Sequence, residues 1–129
     1  MPFDAMRIRA IASLDFDIIE PMNFVDLLSL TLHRAVAEKM LADESRIIQK
    51  AKDNLDRWLN TPDFTGQGSM ALLEWKDILD KSTPDEIRKI IIANTDEGQR
   101  LRSSSPFTGI LTQTERKEIY DACAKIVPV

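Results

Sequence analysis

The stretch DESRIIQKAKDNLDRWLNTP, Asp43 to Pro62, decides the fold class. Ile47, Ile48, Ala51, Leu55, Trp58 and Leu59 recur at steps of one, three and four residues. On a helix of 3.6 residues per turn these positions form one apolar stripe; on a strand they would scatter over both faces. Lys50, Lys52, Asp53, Asp56 and Arg57 fall on the opposite side, as on a helix with one face in water. Asp43 is placed to cap the start of this helix. Thr61-Pro62 stops it, because a residue before proline is driven out of helical geometry.

Working outward, the same logic covers most of the chain. Upstream, Asn23 can N-cap a helix carrying Leu28, Leu32, Ala35, Val36 and Met40, ending near Ala42. Downstream, TPDFTGQGS (Thr61 to Ser69) is a turn-rich loop. Ser69 is placed to cap a third helix with Met70, Leu73, Trp75, Ile78 and Leu79 inward, ending near Lys81. TPDE (Thr83 to Glu86) is the clearest local signal: an N-cap threonine, proline at the first helical position, and a glutamate placed to close a capping box. Ile87, Ile90 and Ile91 form that helix's buried side. A short helix runs from Thr95 to about Arg102. TQTE (Thr112 to Glu115) is a second capping box and opens a last helix with Ile119, Tyr120, Cys123 and Ile126 inward, limited by Pro128. The expectation is an all-α, single-domain bundle of five to six short helices over residues 23–129. RIRAIA (Arg7 to Ala12) and LDFDII (Leu14 to Ile19) instead alternate like strands, and Pro21 ends the pattern. Residues 1–22 therefore read either as an extended N-terminal arm or as an upstream extension from a misplaced start.

Composition bounds the function. The chain of 129 residues carries a net charge of −4, with 43% hydrophobic and 29% charged residues, ordinary values for a globular domain. An acidic balance argues against a strong non-specific grip on nucleic acid, which needs a basic surface. One cysteine, Cys123, allows no internal disulfide. No apolar run reaches 18 residues, so no membrane span is expected, and a cytoplasmic location fits.

Few residues look chemical. His33 is the single histidine and lacks companions at metal-ligand spacing, so a helical histidine bonded to a neighbour is expected, with no metal and no cofactor. Cys123 sits on an apolar stripe and reads as a small core residue. The acid pairs Asp43-Glu44, Asp85-Glu86 and Asp96-Glu97 all fall at helix starts, where the macrodipole favours them. The exception is EGQRLRSSSPFTGIL, Glu97 to Leu111. Arg100 and Arg102 there, with Arg116 beyond it, are placed to converge on the Ser103–Ser105 loop and hold an anion or a partner's carboxylate. The competing reading is structural: the arginines satisfy helix-end carbonyls and pair with Asp96 or Glu97, the serines bond within a turn shaped by Pro106 and Gly109, and Phe107 anchors the turn to the core.

Four blocks also carry a resemblance: LHRAVAEKML (Leu32 to Leu41), KDNLDRWL (Lys52 to Leu59), LLEWKDIL (Leu72 to Leu79) and EGQRLRSSSPFTGILTQTERKEIY (Glu97 to Tyr120). Over Leu28 to Tyr120 the chain resembles a small all-helical bacterial family often encoded beside predicted, nucleotidyltransferase-like toxins of toxin–antitoxin loci. The last block is its most specific part, and residues 1–21 lie outside it. The resemblance implies a non-enzymatic antitoxin or accessory protein that occludes a toxin-like enzyme, and it transfers no active-site residues. Partner contacts are then expected at Arg100, Arg102, Ser104, Phe107, His33 and Arg34. The alternative is a DNA-binding regulator that reads bases from the second helix through Arg46, Gln49, Lys50, Asn54 and Arg57. Asp53 and Asp56 interrupt that face, so nucleic acid is the less favoured partner.

Overall fold

Helix starts and stops fall where side chains can satisfy unpaired backbone groups. The computed structural model describes residues 22–61 and 67–127, and among these no strand occurs. There are five helices: α1 (Phe24–Leu59), α2 (Gln67–Lys81), α3 (Pro84–Ile91), α4 (Asp96–Arg102) and α5 (Gln113–Ile126). Asn23 caps α1 by accepting from the Asp26 N–H at 2.8 Å. Thr95 caps α4 through the Gly98 N–H at 2.9 Å. Complete capping boxes open α3 and α5 at the two expected tetrads. The strand-like reading of residues 1–21 lies outside the described residues.

One helix expectation needs correction. The first two helices meet end to end as the 36-residue α1, with the expected break at Asp43 kept as a kink of non-helical geometry (φ −153°, ψ 53°), where the Asp43 carboxylate takes the Arg46 Nε–H. Asp43 thus marks the break that its sequence position suggested. Helix α2 begins at Gln67, so Ser69 lies inside its first turn instead of capping it.

Helix α1 serves two cores, which divide between Ala35 and Val36, upstream of the break at Asp43. Its C-terminal half gives Ile47, Ala51 and Leu55 to a cluster with Leu72, Trp75 and Ile91 from the next helices. Its N-terminal half gives Phe24, Leu27 and Leu30 to a second cluster closed by Ile119 and Cys123 of α5. Leu111 packs against both. Helix α1 contacts each of the other four helices and is the spine of the bundle. Each fully buried leucine or isoleucine there stabilises by roughly 1.5–3 kcal/mol relative to exposure.

Several expected inward positions turn out. Met70 and Leu73 are exposed, and the inner stripe of α2 is Leu72, Trp75 and Leu79. Tyr120 and Ile126 also face outward, because α5 is covered on one side only, by α1; Tyr120 instead meets Phe24 edge-on at 5.0 Å. Where α4 returns against the end of α3, only glycine fits: a Cβ on Gly98 would lie 2.1 Å from the Ala93 carbonyl oxygen.

Candidate functional site

The segment Ser103–Leu111 is a connection clamped from all sides. Asn54, buried in α1, donates through Nδ2 to the carbonyls of Pro106 at 2.8 Å and Thr108 at 3.0 Å. Its Oδ1 accepts from Arg57 Nη2 at 2.9 Å. Trp75 donates from Nε1 to the Leu101 carbonyl at 2.8 Å, and its ring meets Phe107 edge-on at 5.9 Å. Lys39 donates to Glu115 Oε1 at 2.6 Å and to the Ile110 carbonyl at 3.4 Å. Gly109 adopts φ +76°, where a side chain would be strained, and Lys50 packs over it.

His33 supplies the fourth clamp. Its two ring nitrogens lie 2.7 Å from the Ser29 carbonyl and 2.7 Å from Ser105 Oγ. The carbonyl can only accept, so Nδ1 carries the proton and Nε2 accepts from the serine hydroxyl. Burial lowers the His33 pKa to about 4; the bond to the Ser29 carbonyl opposes it, and the nearby Arg102 charge adds a lesser push in the same direction as burial. His33 is therefore neutral near pH 7 and holds the loop.

Between the loop, α1, α2 and α5 lies a groove of about 560 Å³. Leu32, Val36, Trp58, Leu72, Phe107 and Leu111 give it apolar walls; Arg102 and Arg116 border it, and among the described residues none that lines it is acidic. Leu32 and Arg116 also border an adjoining hollow of about 480 Å³ on the seam between α1 and α5, walled by Leu28 and Tyr120.

The expected contact residues divide. His33, Arg102, Ser104 and Phe107 line the groove. Arg34 neighbours Arg102, whose guanidinium it disfavours by like charge, second to burial. Arg100 points elsewhere: it grips both oxygens of Glu74 at 2.9 and 2.8 Å and also pairs with Glu97 on its own helix. Two residues apart on a helix point in different directions, so Arg100 and Arg102 cannot share a site.

The serines give little to an anion. Ser103 and Ser104 hydroxyls donate to the Arg100 and Leu101 carbonyls, and that of Ser105 to His33. The N–H groups of Ser103, Ser104 and Ser105 bond to carbonyls within the turn, and that of Phe107 to Ser105 Oγ. The structural reading of the serines holds, and no phosphate cradle exists at Ser103–Ser105. The base-reading face is likewise occupied: Arg46 bonds Asp43, Gln49 bonds Asp53 at 2.9 Å, and Asn54 and Arg57 serve the clamp.

Sequence reasoning missed Asn54 as the clamp and Trp58 as a groove wall. A signal for Asn54 was present: Ile47, Ala51, Asn54 and Trp58 step by four, three and four, so a polar residue sits on the apolar stripe. Among the described residues no group of three His, Cys, Asp or Glu side chains could hold a metal ion, and no helix is long and apolar enough to cross a membrane. Cys123 is buried, and burial pushes its thiol up, partly offset by Thr31. Comparison of the chain with protein families, with curated proteins and with solved structures finds no match in any of the three.

Proposed function

We propose that this chain is a non-enzymatic binding protein that occludes a partner enzyme, as the antitoxin or accessory member of a bacterial toxin–antitoxin pair. The observation that carries the reading is the groove: apolar and aromatic walls, a basic border, and a rim segment held rigid by four side chains from α1 and α2. A rigid rim loses little conformational freedom on binding, which favours affinity. Trp58 and Phe107 are the kind of large apolar surface that anchors a partner's side chains. The charge balance supports it too: the molecule is acidic overall yet presents arginines at this groove, so it can orient a partner by charge as well as by fit. Resemblance of the Glu97–Tyr120 block to the toxin-associated family points the same way.

The test is co-expression with the product of the adjacent gene. A complex stable on gel filtration, with the partner's activity reduced, is the expected result. If the two proteins elute separately, or the complex retains full partner activity, occlusion is wrong.

A further inference from the structure

Arg102 is only 4% exposed, yet its guanidinium is half used. Nη1 donates to the carbonyls of Ala93 at 2.7 Å and Ile91 at 3.3 Å, at the end of α3. Among the described residues, Nε and Nη2 are buried without a hydrogen-bond partner, and Nε of Arg34 is in the same condition. Nε–H and one N–H of Nη2 lie parallel along one edge of the planar group, the edge that receives both oxygens of a carboxylate. A buried cation with unpaired N–H groups and a second guanidinium nearby is unfavourable; the Asp26 carboxylate offsets the charge in part but accepts neither N–H, and a carboxylate seated on that edge relieves both problems.

We propose that the Nε–Nη2 edge of Arg102, with Arg34 beside it, is the anchor for an aspartate or glutamate side chain of the partner protein, flanked by an apolar residue against Trp58 and Phe107. This rests on the binding reading given above and names the chemistry of its contact. A phosphate is the poorer fit, because it wants donors on several sides and the neighbouring serine hydroxyls and N–H groups are already committed. A protein segment fits better than a small acid, because the groove adjoins a second hollow that shares Leu32 and Arg116. The unpaired edge is sealed from water, so entry requires the groove wall to give, and association is slower than for a preformed site.

The experiment follows the Arg102 Nε–H resonance in the isotope-labelled full chain, assigned by its absence in Arg102→Lys. The probes are the blocked peptide acetyl-Phe-Glu-Leu-amide and its Gln counterpart. The Glu peptide is expected to shift that resonance and to bind at least about tenfold more tightly than the Gln peptide, the margin of a charge-assisted over a neutral hydrogen bond. Arg102→Lys keeps the charge but loses the two-pronged edge, so it removes most of this preference. The wild-type comparison of the two peptides stands even if that variant folds poorly. Equal binding of the two peptides overturns the proposal, as does inorganic phosphate displacing the Glu peptide at equal concentration. If 3-phenylpropionate alone matches the peptide, the site takes a free organic acid and the partner-side-chain assignment is wrong. Glu-selective binding without a partner complex leaves the anchor standing and removes the occlusion reading. A partner complex formed equally well by wild type and Arg102→Lys does the reverse.

Discussion

The two capping boxes have the same local chemistry and different surroundings. At α3, Thr83 and Glu86 exchange bonds of 3.2 and 2.8 Å on the surface. At α5, Thr112 and Glu115 exchange bonds of 3.1 and 2.7 Å, but Glu115 is fully buried and also binds Lys39. Burial alone would raise the Glu115 carboxyl; Lys39 and Thr112 more than offset it and hold the group below its ordinary range. The first box only starts a helix. The second joins α5 to the N-terminal half of α1 and, through Lys39, to the loop at Ile110. A motif readable from four residues thus has a worth that those residues do not determine.

Breaking the loop should have the largest effect. Asn54→Ala leaves the Pro106 and Thr108 carbonyls and Arg57 without their shared partner, and is expected to lower unfolding stability by about 4 kcal/mol in urea titration. Glu115→Ala removes a buried carboxylate from Lys39 and uncaps α5; roughly 3 kcal/mol is expected, since Lys39 can still reach water. If α5 depends on the clamped loop, the double variant loses measurably less than the sum of the two; strict additivity would mean that the clamps act independently.

Acid probes the same region more gently. Folded His33 resists protonation down to about pH 4, whereas an unfolded histidine takes up a proton near 6.5. Between those values the unfolded chain binds more protons, so stability is full above the upper value and falls with pH. The loss amounts to about 2 kcal/mol by pH 5. Glu115, with its lowered carboxyl, adds a loss only as pH falls below about 4.5. His33→Gln should flatten the curve between pH 6.5 and 5; an unchanged slope would assign the acid sensitivity to other groups. The smallest effects belong on the surface side of the comparison. Arg100→Ala and Glu86→Ala touch only exposed partners, and their melting midpoints should stay close to wild type.

Sequence carried the elements with local causes. The helical stripe at Ile47–Leu59, the caps at Asn23, Thr83, Thr95 and Thr112, and the break at Asp43 all depend on residues within a turn or so of each other. It failed where the cause lay far along the chain. Locally only Glu97, three residues before Arg100, tells it from Arg102; Glu74 completes the first set of partners, and the carbonyls of Ile91 and Ala93 supply the second. Met70 and Leu73 are apolar at helical spacing but face outward, and Tyr120 meets α1 only through the edge of Phe24 and stays exposed. The candidate site was legible as a segment, and four of its six named residues line the groove; its walls at Trp58 and Leu72 depend on tertiary packing.

The ring contact between Phe24 and Tyr120 brings together two points almost a hundred residues apart in sequence. That separation makes the contact slower to form, whereas α2 and α3 meet α1 over shorter ones, as between Asp56 and Lys76 or Glu44 and Arg88. Docking of α5 is therefore expected to come late in folding and its release early in unfolding. Amide protons of Glu118–Ala124 should then exchange faster than those of Ile47–Leu55, and uniform protection across both would refute this order. Because α5 brings Arg116 to the groove, a partner seated there would slow exchange in a helix it barely touches.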